Sequence, residues 1–186
     1  MNRPRSWTLA ALVLLAAASR LVPHPDNVTP TAAVALFAAA TFHRRLAAAL
    51  VPLLALLLSD GLLQLTYRAG WQPNWGFYRG QWVVYACTLA TVGLGFLLRR
   101  RRTVAAVAAT TLASSILFYL ATNFGFFYGT SSLYPQTPAG LLTCYVAAIP
   151  FFRNSLLGDF GYVTLLFGAL ALAEARFPAL RRPAFA

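Results

Sequence analysis

The sequence predicts an all-α, polytopic transmembrane bundle of about six helices, with both termini in the cytoplasm. Three observations predict it. The chain of 186 residues is 59% hydrophobic and only 10% charged, whereas a soluble domain carries about a quarter charged residues. Apolar stretches approaching the length of a membrane span recur from one end of the chain to the other. The arginines gather in alternate connections between them.

A helical span needs about 20 apolar residues for a hydrocarbon core about 30 Å thick. Six segments approach this: residues 7–22, 28–42, 46–66, 81–98, 103–128 and 154–174. The first two are short. Asn2-Arg-Pro-Arg5 ahead of an alanine-rich run has the layout of a secretory signal, with Ala16 to Ser19 as a cleavage site; we read it as the first span. The second span starts after Pro30, a good first-turn residue. A seventh apolar stretch, 139–152, is too short to cross and ends at Pro150, so it reads as an interfacial or re-entrant helix. The whole chain is one transmembrane domain.

All fifteen basic residues other than histidine are Arg, and the net charge is +11. They sit at the ends of apolar stretches and form no solvated stripe, which argues against nucleic acid as a partner. Arg3, Arg5, Arg44, Arg45, Arg99, Arg100, Arg101, Arg102, Arg176, Arg181 and Arg182 fall on one side. Arg20, Arg68, Arg79 and Arg153 fall on the other. The positive-inside rule then makes the first side cytoplasmic, in the inner membrane of a bacterium. The external connections are longer and aromatic, with Tyr67, Trp71, Trp75, Phe77, Tyr78 and Trp82 in the third and Tyr128 and Tyr134 in the fifth. An interfacial belt accounts for Trp82 more readily than for a whole aromatic loop.

Small residues at helical spacing let helices approach closely in lipid. Ala32, Ala35, Ala39 and Ala40 do this in the second span, and Ala105, Ala109 and Ala113 in the fifth. Ala10, Ala11, Ala17 and Ala18 make the first span a candidate docking face for another membrane protein.

Four acids remain to be placed. Glu174 ends the last span and needs no special role, and Asp26 lies in the first external loop. Asp60 lies about 9 Å inside the third span at 1.5 Å per residue, and Asp159 lies at a similar depth in the last, beyond Arg153 near its mouth. A bare charge at such depth costs several kcal/mol, so each needs a partner or water. An Asp–Arg pair, a neutral hydrogen-bonded Asp and a wet pocket all meet that need. Arg20, His24, Asp26, Asn27, Asp60, Gln64, Asn123, Arg153, Asn154 and Asp159 share the outer half, while the inner halves are aliphatic. A proton or ion pathway needs polar groups across the full depth, so this one-sidedness predicts a binding cup. The expected substrate-binding residues are Asp60, Asn123, Arg153, Asp159, His24, Asn27 and Cys87. Cys87 and Cys144 also suit a plain packing role as buried thiols. His24 and His43 fall on opposite sides, which predicts no metal site. Asn27-Val-Thr29 matches a glycosylation sequon. With no phosphate loop and no nucleophile–base pair, an enzyme is not expected.

Several stretches together carry a resemblance: Ser19-Arg-Leu-Val-Pro-His-Pro-Asp-Asn-Val-Thr-Pro30, Pro52-Leu-Leu-Ala-Leu-Leu-Leu-Ser-Asp60, Thr122-Asn-Phe124, Gly140-Leu-Leu-Thr-Cys-Tyr145 and Ile149-Pro-Phe-Phe-Arg-Asn-Ser-Leu-Leu-Gly-Asp159. They resemble an uncharacterised bacterial membrane-protein family likened to the substrate-binding S components of energy-coupling-factor vitamin transporters. The resemblance implies six helices, cytoplasmic termini, an outward cup closed by external loops, and docking on a transmembrane coupling protein through the first helix. It implies uptake of a vitamin-like small molecule, with cobalamin as one candidate. The competing expectation is an accessory or structural subunit of a larger membrane complex.

Overall fold

A computed structural model describes residues 3–73, 75–100, 102–129 and 133–181; Arg101 and Arg182 of the basic side lie outside them. Among these residues the chain is entirely helical. In order come α1 (Arg3–Ala18), α2 (Thr31–Thr41), α3 (Arg45–Arg68), α4 (Gln81–Gly95), α5 (Val104–Gly129), α6 (Pro138–Ala147) and α7 (Ile149–Arg176), with single 3-10 turns at Ser19–Leu21, Phe96–Arg99 and Pro178–Leu180. Four helices are long and apolar enough to cross a membrane: α3, α4 with its following 3-10 turn, α5 and α7. Their outward faces carry Leu54, Leu58, Leu62, Leu120, Leu165 and Leu172. Exposed apolar surface on this scale is an aggregation hazard in water and an ordinary face in lipid, which marks the chain as a membrane protein.

The ends of the helices differ from the expected spans in ways the chemistry explains. Helix α1 begins at Arg3, four residues before the predicted span, because Arg5 points inward. Its guanidinium pairs with Glu174 at 2.6 Å and also donates to the Leu180 carbonyl. Glu174 thus fastens the start of α1 to the end of α7. The last span starts at Ile149 and not near 154. Pro150 occupies the first turn of α7, where its missing N–H costs nothing. The short apolar segment therefore stops at Ala147, and α6, 10 residues long, is too short to cross. Tyr119 donates to the Tyr145 carbonyl at 2.6 Å and Tyr145 to the Leu120 carbonyl at 2.8 Å, so the chain enters α7 from beside the middle of α5.

Helix α2 organises the bundle. It is 11 residues long, about 16 Å, roughly half a membrane core. Every residue from Ala33 to Thr41 is buried, as an all-apolar helix must be. It packs against α1, α3, α4, α5 and α7. Small residues set the spacing: a Cβ on Gly95 of α4 would lie 2.6 Å from the Ala39 Cβ. Phe37 meets Phe167 of α7 edge-on, with ring centroids 5.3 Å apart. The alanines of the second span thus serve internal packing.

The C-terminal carbonyls of α2 are orphaned by the end of the helix. Arg99 meets one of them and the two carbonyls that follow the helix, with Nε on Ala39 O at 2.8 Å, Nη2 on Phe42 O at 2.8 Å and Nη1 on His43 O at 3.3 Å. It also lies over the Phe96 ring, 4.5 Å from its centroid. Arg99 therefore does more than mark a basic loop. Arg99→Leu is expected to cost about 2–4 kcal/mol, since buried carbonyls lose charged donors. Thermal unfolding in detergent checks this, with exposed Arg100→Leu as the neutral comparison.

Candidate functional site

Because α2 is short, the other half of the bundle has no central helix. We call this half the aromatic end, and the half holding Arg5, Arg99 and Glu174 the basic end. The segment 22–30 descends into the aromatic end before α2 begins. Asn154 Nδ2 donates to the Asp26 carbonyl at 3.1 Å. Farther along α7, Gly158 meets Val28, where a Cβ would lie 3.0 Å from the Val28 Cα. Asn27 turns the chain there with a φ of 63°, a conformation Asn tolerates better than most residues.

The space above α2 forms a cavity of about 540 Å³ between α4, α5 and α7, bounded also by Asn27 and the α3–α4 loop. Its walls are mainly aromatic: Trp75, Tyr78, Phe118, Tyr119, Phe126, Phe151 and Phe152. Its polar groups are Asn27, Arg79, Ser115, Thr122, Asn123 and Ser155. Tyr119 and Phe152 pack with centroids 4.7 Å apart. Asn123 Nδ2 donates to the carbonyl of Tyr119 at 2.8 Å, which leaves its amide oxygen as an acceptor. Arg79 is the one charged residue of the lining, and no acid faces it. Such a site suits an uncharged or anionic molecule with apolar faces, within the size range usual for small-ligand pockets.

A second polar cluster lies outside that lining. The 3-10 turn after α1 swings Arg20 over α3. Its Nη1 lies 2.7 Å from Asp60 Oδ1 and also donates to the Ser59 hydroxyl. Asp60 Oδ2 accepts from Gln81 Nε2 at 2.6 Å and from the Tyr85 hydroxyl at 2.8 Å. The carboxylate is 1% exposed, and each oxygen has a partner, as a buried charge requires. The α3–α4 loop is bolted to the same place. Gln64 Oε1 accepts from the backbone N–H groups of Gly76 and Phe77, both at 3.2 Å, and Gln81 Nε2 donates to the Gly76 carbonyl at 3.0 Å. Burial, with the Asp60 charge nearby, raises the pKa of Tyr78 on that loop, so its phenol stays neutral. The cluster thus holds the loop that carries Trp75, Tyr78 and Arg79 to the cavity.

The sequence-predicted residues are distributed as follows. Asn27 and Asn123 line the cavity. Asp159 is buried one layer behind it, accepting from the Ser115 hydroxyl at 2.7 Å; Ser115 is its partner, and Arg153 is not. Arg153 is exposed near the start of α7. Asp60 belongs to the Arg20 cluster. His24 lies in the descending segment, its Nδ1 3.0 Å from the Pro25 carbonyl, outside the lining. Cys87 is buried and faces a groove between α4 and α5. Sequence reasoning missed Ser115, Phe118, Tyr119, Phe151 and Phe152. A signal for some of them was present: Thr111, Ser115, Phe118 and Thr122 recur at helical spacing in an otherwise aliphatic span. Among the described residues no group of three His, Cys, Asp or Glu side chains could hold a metal ion.

No curated protein matches the chain, and no solved structure matches it. Residues 1–180 match the DUF6580 family, a family of unknown function, and the chain belongs to that family.

Proposed function

We propose that the protein is a membrane-embedded substrate-binding protein for uptake of a vitamin-like small molecule, working in the manner of an S component. Both termini lie in the cytoplasm of a bacterial cell, and the aromatic end faces outward. The observation that carries this reading is the 540 Å³ cavity at the end of the bundle opposite most of the arginines, walled by aromatic rings. That volume favours a ligand well below the size of a corrinoid. The arginine asymmetry supports the orientation. It also supports six crossings, with α1 and the 22–41 segment completing the set begun by the four long helices. The lipid-facing side of α1, with Trp7, Ala11, Leu14, Leu15 and Ala18 exposed, supports docking on a coupling protein.

One observation favours the accessory-subunit reading. Asp60 and Arg20 form a dry ion pair outside the lining, as a scaffold would use them. A thermal-shift panel of water-soluble vitamins and related ring compounds separates the two readings. Binding at 100 times Kd stabilises by about 2.7 kcal/mol, several degrees in a protein of this size. The expected result is a shift from at least one compound, lost in Thr122→Phe. That variant fills the cavity, while the native Thr122 hydroxyl serves only its own helix, donating to Phe118 O. If no compound shifts the protein, the accessory reading takes over.

A further inference from the structure

The cavity wall toward the bilayer is one contact thick. Val83 of α4 and Gly125 of α5 line the cavity, and the same two residues line an apolar groove of about 1100 Å³ on the outer surface between these helices. A Cβ on Gly125 would come within 2.9 Å of Val83 Cγ2, so a single valine against a bare glycine separates the two spaces. Ala86, Ala90, Ala113 and Ala121 leave the groove its depth. From Gly125 to Ala113 it follows α5 for about 18 Å, more than one leaflet's share of the hydrocarbon core. Trp82 at its upper rim is 72% exposed, the placement of an interfacial anchor. Charge is confined to the cavity side of the contact, where Arg79 stands with no acid in the lining.

Resting on the binding role proposed above, we infer that the site takes a single-chain amphiphile with a carboxylate head. The head lies in the cavity against Arg79, and the apolar tail reaches the α4–α5 groove across the Val83–Gly125 contact, where the valine side chain turns aside. One guanidinium suits a monoanion and forms paired hydrogen bonds with a carboxylate. A groove with this lining, one side chain away from the cavity, suits a hydrocarbon chain, and rotation of Val83 off Gly125 gives the ligand a sideways route from the membrane.

The test uses the full chain in phosphatidylcholine nanodiscs, with palmitate carrying a photoactivatable diazirine on its chain. Crosslinks are expected on residues 82–90 and 113–125. Arg79→Gln and Gly125→Val are each expected to lower them about tenfold, the loss of one charge-assisted contact or of the passage. Crosslinks to the lipid face of α3 should stay unchanged, and Val83→Ala should raise those at the groove. If Gly125→Val does not fold, Val83→Phe closes the same gap from α4. Groove crosslinks that follow those of α3 in every variant overturn the proposal. The short carboxylate 4-azidobenzoate separates the two levels of failure. If it labels residues 148–155 while palmitate ignores the variants, the cup stands and the side opening falls; if it labels nothing there, both fall.

Discussion

Asp60→Leu is expected to destabilise the protein by about 3–5 kcal/mol, the cost of leaving one member of a buried ion pair without the other. Arg20 would then sit over α3 with its guanidinium largely buried, holding only Ser59 and the Leu56 carbonyl, the latter at 3.4 Å. Gln81 and Tyr85 would each lose an acceptor. Asp60 is 1% exposed, so water cannot replace what is removed. The double variant Arg20→Met/Asp60→Leu is expected to recover a large part of the loss, because apolar side chains of similar volume often replace a buried pair at little cost. The thermal unfolding of both variants and wild type in one detergent checks this. An Asp60→Leu protein that unfolds with wild type would show that the pair holds nothing. A double variant no better than the single one would move the weight from the charge to the hydrogen bonds of Gln81 and Tyr85.

That Asp60 needs a compensating partner was legible in the sequence; which partner was not. A charge six residues inside an apolar run must be compensated, whatever the fold. Which cation answers it depends on the 3-10 turn at Ser19–Leu21, and no hydropathy pattern encodes that turn. Arg153 looked equally available to Asp159 by depth, yet the Asp159 carboxylate meets Ser115 from another helix. The long helices were legible for a simpler reason. Uninterrupted apolar runs with arginines at their ends place α3 and α5 within about two residues, the usual blur of helix boundaries. Helix α2 was readable as an apolar run and unreadable as a half-height plug, because hydropathy reports what a segment is made of and not how deep it starts. The cavity follows from that missing half-length. Its rings on α5 and α7 were hidden among aromatics that look like ordinary core. Asn27 and Asn123 were found because they fall in the outer half, where the chain's polar side chains gather.

Gly76→Ala should uncouple the loop from the bundle. The new Cβ would lie 1.7 Å from the Asp60 carbonyl oxygen and 2.8 Å from the Gln64 amide nitrogen. Both are backbone atoms of α3, so no side-chain rotation relieves the overlap and the loop has to lift. Lifting breaks the two hydrogen bonds to Gln64 and the one from Gln81. A loss of about 2–4 kcal/mol is expected, among the larger effects of a single methyl group. Gly61→Ala is the matched comparison: it lies one residue beyond Asp60 on the same helix, with nothing within 4 Å of its added Cβ. It should be neutral or stabilise by up to about 1 kcal/mol, as Gly-to-Ala does inside a helix. Trp75, Tyr78 and Arg79 ride on the lifted loop, so Gly76→Ala should also abolish ligand-induced thermal shifts and speed amide exchange over residues 75–80. Asp60→Leu leaves the Gln64 clamp in place and removes the carboxylate with its contacts to Arg20, Gln81 and Tyr85. If exchange in the loop rises in Gly76→Ala alone, the backbone contact holds the cavity wall and the ion pair merely stabilises the helices beneath it. If both variants free the loop, charge and backbone act as one anchor. If Gly76→Ala behaves like Gly61→Ala, the loop is not seated on α3 and the wall of the cavity must be held from the α5 and α7 side.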